Sequence, residues 1–474
     1  MSSLILSLAA ALAAAGGIDH EKVAKDFLAT HGLRDMAPAE VRIDELLAKH
    51  YLTGRAGIFE VYFPVAGLES RASDLKDCLA ALVEAQEQLL EWSKPSGRDQ
   101  KAVRADLKAV AGWLKTVRPQ ALAKAKDAAG KDLTAILGAP EAVSAASERL
   151  AASFGRGEAL GLSRDPPGKV RLMLAPTRRE FAELVCFVGW WSEEWRASYW
   201  VDSISDWSTT WMDDIQVIAL EYAAPGHLPE DYSSGEALNK RDPKVMEQQV
   251  VQLSVLRAFE QLFGERVPAA FSTGLAMNLV IDQFGEINTR VDGDLRGRTA
   301  NRREVFVPGG ASGGGFLPKN SAETRWREDR GKDRFLRVLR LAQKEGTGAE
   351  KDAKNKVAGF ALRSDKGGEM HVAKAPFLGA AAAEGQAPPE AFQGDFEEML
   401  RGYKCAFIYW LQSKAGGPDK ASREKFAQLI EKLADPALEF EATFQAVYEG
   451  AALSDADAGK DSLEGKFLLW LAKQ

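Results

Sequence analysis

Histidine is scarce in this chain, with five in 474 residues: His20, His31, His50, His227 and His371. Cysteine is scarcer: Cys78, Cys186 and Cys405 lie far apart in apolar settings. No two histidines stand three or four residues apart, and there is no Cys-x-x-Cys pair. Local spacing therefore offers no paired-imidazole or thiolate zinc site. At most one disulfide can form, and the three cysteines read as buried thiols. Charge of one sign is not in excess either, because 61 basic residues face 68 acidic ones for a formal net charge of -7. That balance describes a mixed, solvated surface and excludes a nucleic-acid footprint. The most basic run, residues 325–334, is interrupted by acids and reads as a solvated face. No apolar run is long enough to span a bilayer as a helix. The glycine-rich stretch Pro308 to Phe316 is not followed by Gly-Lys-Ser/Thr, so it reads as a linker or lid and not as a phosphate cradle. Ser312 inside it lacks the strand-to-helix setting of a nucleophile elbow. Adjacent acids such as Asp213-Asp214 and Glu193-Glu194 point apart on a regular element, which disfavours paired-carboxylate glycoside chemistry.

What is present is a large apolar inventory, 46% of the chain, enough for two or three structural units. Residues 1–15 have the length and the Ala13-x-Ala15 ending of a secretory signal, although no Lys or Arg precedes the apolar run. The expectation is a secreted or periplasmic protein, the alternative being an Ala-rich helix in a cytoplasmic one. Residues 16–56 read as short helices, with Val23, Phe27 and Leu28 in one apolar patch and Val41, Ile43, Leu46 and Leu47 in another. Residues 57–175 read as a strand near Ile58 to Val65 followed by a helical lobe or insertion, and Val170 to Leu174 as a buried strand. Thr177 with Glu180 three residues on forms a capping-box pattern. Tryptophans at 190, 191, 195, 200, 207 and 211 follow, read as core packing in preference to a carbohydrate or peptide platform. Ile215 to Tyr222 reads as a further strand. Residues 176–284 form the central unit, 285–390 a loop-rich linker and 391–474 a helical C-terminal lobe. No internal repeat is visible.

The central unit contains "VVQLSVLRAFEQLFGERVPAAFSTGLAMNLV", Val250 to Val280, read as helix, turn and helix. Leu253, Leu256, Phe259 and Phe263 form an apolar stripe at helical spacing and are expected in the core. After the turn, the sequence runs Pro268-Ala269-Ala270-Phe271-Ser272-Thr273-Gly274-Leu275-Ala276. The order of strand, helix, strand, helix, turn and helix, with Pro followed by Gly-Leu-Ala, resembles the peptidase MA-like family of secreted bacterial gluzincins over residues 58–474. The resemblance implies a thermolysin-like α+β fold, a zincin-like mixed sheet with helices plus a helical C-terminal lobe. In that family a Trp and a zinc-binding Glu stand where this chain has Ala270 and Thr273. The family's H-E-x-x-H falls on Leu253, Ser254 and Arg257, or one register earlier on Gln252, Leu253 and Leu256.

Zinc peptidase chemistry needs two imidazoles on one helix face, a general-base Glu and a third ligand. Neither register supplies them. The resemblance therefore implies a catalytically inactive metallopeptidase-like protein with no metal or other cofactor, in a binding or structural role. The alternatives are a hydrolase with a displaced site and a purely structural envelope or surface protein. In thermolysin-like folds an edge strand before the metal helix pairs with extended substrate. Ile215, Val217, Ala219 and Glu221 hold that place, so they and Arg257 are the candidate cleft for an extended peptide or protein partner. Arg257 either clamps a carboxylate of that partner or pairs internally with Glu221 or Glu260.

Overall fold

The computed structural model describes residues 20–31, 43–92, 100–125, 127–152, 168–177, 180–181, 183–184, 208–211, 215–220, 243–264, 266–267, 269–285, 287, 405–414, 417–451, 463–471 and 473. The signal-like segment, the linker with its glycine-rich stretch, most of the tryptophan-rich segment, Cys186 and Glu221 lie outside them. The class is α+β, a mixed sheet with many helices.

Two helices, α1 (His20–Thr30) and α2 (Ile43–His50), lead into a hairpin of β1 (Tyr51–Ala56) and β2 (Phe59–Pro64). The sequence reading extended the helical region to residue 56 and missed β1. The hairpin closes through Gly57 and Ile58, since Ala56 faces Phe59 in register. Gly57 has φ +63°, and glycine at the first of two central positions suits a tight hairpin turn. The turn is pinned from beneath by the buried Gln86. Its Nε2 donates to the Ala56 carbonyl at 2.6 Å and its Oε1 accepts from the Ile58 N–H at 2.8 Å.

Gln86 lies on α3 (Leu68–Trp92), the longest helix described, which packs on the hairpin. Helices α4 (Gln100–Thr116), α5 (Pro119–Ala123), α6 (Leu133–Ile136) and α7 (Glu141–Ala152) follow. Just before α6 the chain runs along the outer edge of β1. Gly130 N–H donates to the Tyr51 carbonyl at 2.8 Å and Thr53 N–H to the Lys131 carbonyl at 3.0 Å. Gly130 has φ +68°, and a Cβ there would lie 2.7 Å from the Ala48 carbonyl oxygen.

Strands β3 (Val170–Ala175), β4 (Ser208–Trp211) and β5 (Ile215–Ala219) complete a five-stranded sheet in the order β1-β2-β3-β5-β4. β2, β3 and β5 run parallel, while β1 and β4 are antiparallel to their neighbours. The sheet thus draws strands from three of the segments distinguished in the sequence. One face carries Leu52, Phe59, Val61, Phe63, Val170, Leu172, Leu174 and Ile218 into the main hydrophobic core, beneath α3 and α8 (Pro243–Phe263). The Thr177–Glu180 capping box is in place, with Thr177 N–H donating to Glu180 Oε2 at 3.0 Å and Glu180 N–H to Thr177 Oγ1 at 3.1 Å.

Helix α8 turns into α9 (Ala269–Phe284), and the two pack together along their length. The C-terminal part contains helical residues 405–411, a two-residue ribbon of β6 (Ser413–Lys414) and β7 (Gly417–Pro418), then α10 (Lys420–Leu433), α11 (Phe440–Val447) and α12 (Leu463–Leu471). It belongs to the same core. Phe271 of α9 meets Phe440 and Phe444 edge-on at 5.6 and 5.7 Å. Arg266, in the α8–α9 turn, donates to the Leu433 carbonyl at the end of α10 and to the Leu438 carbonyl at 2.8 Å. A cation at a helix C-terminus also offsets the helix dipole.

Candidate functional site

The site to test is the α8–α9 pair and the strand before it. α8 starts beyond β5 and lies against the sheet, where Gln249 Nε2 approaches the Ala219 carbonyl at 3.5 Å. α9 packs on α8 and carries Gly274-Leu275-Ala276 in its buried middle. Leu253 and Arg257 are one turn apart on α8. Both are partly open to solvent, as is Thr273 on α9. Ser254, in the general-base position of that register, faces the other way and is sealed from solvent. Its Oγ has no hydrogen-bond partner among the described residues.

The expectation of an all-core stripe on α8 holds for only half its members. Phe259 and Phe263 are buried and stack on each other at 5.4 Å, but Leu253 and Leu256 are only partly buried against the core. The stripe straddles the boundary between the packed and the partly open sides of the helix.

A metal requires donors that this face does not present. Leu253 has no donor atom, Thr273 offers a neutral hydroxyl, and Arg257 is permanently cationic. In the earlier register the positions are Gln252, Leu253 and Leu256, where the single polar group is an amide. The residues present therefore do not fit zinc. Among the described residues no group of three His, Cys, Asp or Glu side chains is placed to hold a metal ion.

Arg257 Nη1 lies 3.7 Å from Glu260 Oε2, one helical turn on. Of the two arrangements expected for Arg257, the structure thus shows internal pairing, with Glu260. Burial pushes the Glu260 carboxyl above its ordinary value and the Arg257 charge pulls it part of the way back. With 39% of its side-chain surface exposed, solvent damps both effects.

The candidate cleft needs correction. β5 was expected at the sheet edge, with Ile215, Val217 and Ala219 bordering a groove. It is internal instead, hydrogen-bonded to β3 on one side and β4 on the other, and all five of its residues are buried. A strand paired on both sides cannot accept a third. Among the described residues the edge belongs to β4, a four-residue strand hidden in the tryptophan-rich segment, where short length and flanking aromatics masked its alternation.

Comparison with family models, curated proteins and solved structures finds no match to this chain. The arrangement must be judged on its own geometry.

Sequence reasoning also passed over a buried amide cluster. Gln248, Gln249 and Gln252 occupy positions i, i+1 and i+4 of α8, and all three are buried, as is Asn278 on α9. Asn278 Nδ2 donates to the Cys405 carbonyl at 3.3 Å and ties α9 to residues 405–411. The signal was the Gln-Gln-x-x-Gln spacing itself. A search for apolar periodicity does not register it, because glutamine scores as a surface residue.

Proposed function

We propose that this chain is a catalytically inactive metallopeptidase-like protein with a binding role, its metal-site residues replaced by Leu253, Arg257 and Thr273. One observation carries the reading. The helix following the internal strand β5 packs on the sheet and on a second helix bearing Gly-Leu-Ala, and the three replaced positions keep partial exposure while Gln252, Ser254, Ala258, Ser272 and Gly274 beside them are buried. The partner would be an extended peptide or protein segment added along β4, the last strand of the sheet, whose outer side is unpaired among the described residues. Main-chain pairing of this kind needs no metal.

The test is to put the missing ligands back. The triple variant Leu253→His, Arg257→His and Thr273→Glu should bind about one zinc per chain, since two imidazoles and a carboxylate suffice for a catalytic-type site. The parent should bind none tightly. The parallel set Gln252→His, Leu256→His and Thr273→Glu tests the other register. A parent that retains stoichiometric zinc through dialysis overturns the inactive reading. Two folded triple variants that both fail to bind zinc overturn the thermolysin-like placement of α8 and α9.

A purely structural role is the second reading, favoured by the internal Arg257–Glu260 pair. Titration of β4-matched extended peptides against the parent separates the two. Saturable binding that is lost on replacing Thr209 with Pro supports the binding role.

A further inference from the structure

The face of the sheet opposite the main core carries a group of titratable rings that the proposed site does not use. His31 follows the last turn of α1, and His50 is the last residue of α2. Their rings meet edge-on, with centroids 4.9 Å apart and planes at 83°. The His31 ring also lies parallel to Tyr51 of β1 at 6.4 Å and against Phe27 of its own helix at 4.1 Å. His31 Nδ1 is 2.8 Å from the Phe27 carbonyl oxygen. A carbonyl only accepts, so Nδ1 carries the proton and Nε2 holds the lone pair in the neutral ring. His50 Nε2 is buried and has no hydrogen-bond partner among the described residues. A proton added to His31 would put a charge beside the His50 ring and its buried, unpartnered Nε2.

We propose that His31 and His50 form a proton-sensitive latch that holds α1 on the body of the protein near neutral pH and releases it in mild acid.

From β1, the Tyr51 hydroxyl stays protonated, its pKa raised by burial and then by Glu180 and Glu183. Those two carboxylates belong to the helix that begins at the Thr177 capping box, and Glu180 is engaged there. On α1 itself Lys25 and Asp26 are exposed, and on α2 so are Asp44, Glu45 and Lys49. A protonated His31 would gain from the helix C-terminus through the Phe27 carbonyl. Burial and the neighbouring His50 outweigh that gain and hold His31 below its ordinary 6.5. The sign follows directly. Released α1 takes up protons more readily than docked α1, so docking is strongest above the ordinary histidine value. It weakens as pH falls below that value and levels off beneath the lowered one. On α1 the side chains of Phe27 and Leu28 are buried.

Hydrogen exchange read by mass spectrometry tests this on the intact chain. After correction for the intrinsic pH dependence of exchange, amides of α1 should open several-fold faster near pH 5 than near pH 7, because histidine titrates in that interval. Amides of α4 should not respond. In the double variant His31→Phe with His50→Gln the acid response should vanish while protection near neutrality remains. If that variant fails to dock α1, the single His31→Phe, which keeps the ring contacts, serves in its place. The ring signals of the parent give a second readout, with His31 expected to titrate below 6.5. An α1 that stays protected in acid, an acid response that survives the double variant, or a His31 that titrates at or above its ordinary value overturns the latch.

Discussion

The two faces of the sheet are built on different physics. The face under α3 and α8 is apolar across β1, β2 and β3, with the buried Gln216 on β5 as an exception. The opposite face alternates with it residue by residue and carries Thr53, Arg55, Glu60, Tyr62 and Arg171 at the β1–β2–β3 end. There Tyr62 Oη donates to Glu60 Oε2 at 2.6 Å, Lys169 Nζ lies 2.8 Å from Glu60 Oε1, and Arg171 reaches Asp44 of α2 at 3.1 Å. The Arg171 guanidinium also sits over the Tyr62 ring at 5.4 Å. One face gains its stability from removing apolar area from water, which is insensitive to pH. The other adds charged and hydrogen-bonded groups at that end to the buried Met173, Ile215 and Val217, and there inherits their dependence on proton concentration.

The largest effect should come from the β1–β2 turn. Gly57→Ala places a side chain at φ +63°, with its Cβ 1.9 Å from Gln86 Oε1. The backbone is strained and a buried amide loses its partners together, so a loss of about 4 kcal/mol is expected in chemical denaturation. A loss near zero would show that Gln86 is not the clamp of the hairpin. Next in size is Leu172→Ala, at the fully buried centre of the apolar face, with about 3 kcal/mol expected for the lost contacts and the cavity. Tyr62→Phe on the other face should cost only about 1 kcal/mol, the net worth of its hydrogen bond. Equal losses from those two variants would erase the distinction between the faces.

The smallest effect is a change in the shape of a pH profile. Burial pushes the Glu60 carboxyl up, but hydrogen bonds from Lys169 and Tyr62 and the charges of Lys169 and Arg171 outweigh it and leave the group below its ordinary 4.5. Folding therefore gains from the ionised form. That gain is complete above the ordinary carboxylate value and is lost as pH falls through the lowered one. Glu60→Gln should lower the melting temperature near neutrality and flatten the acid side of the profile. An unchanged acid limb would remove Glu60 from the account.

Much of the fold was legible where one face of an element decides its fate. Val170 to Leu174 and Ile215 to Ala219 are apolar runs of strand length, and α3, α4 and α10 show helical spacing over several turns. β1 escaped because Tyr51-Leu52-Thr53-Gly54-Arg55-Ala56 follows a helix without a break and carries a glycine. That glycine is favoured because a Cβ at residue 54 would crowd Leu79 Cδ1 of α3 at 3.0 Å. The preference is tertiary, and no local rule contains it. The candidate site was harder for the same reason. The spacing of Leu253, Leu256, Phe259 and Phe263 marks a stripe, but which part meets α9 or the sheet depends on partners far away in the chain. The placement of β5 beside a fourth strand likewise depended on four residues whose pairing lies outside any sequence window.

The short run of Gly130 to Asp132 against β1 has a further consequence. Its hydrogen bonds occupy the outer side of the first strand in the sheet order. Of the two ends of the sheet, the β1 end is closed by the chain's own backbone. Stacking of sheets side by side, the route by which β-rich proteins grow into fibres, needs two open ends on every copy. This sheet can lend at most one, so growth by that route stops at a pair.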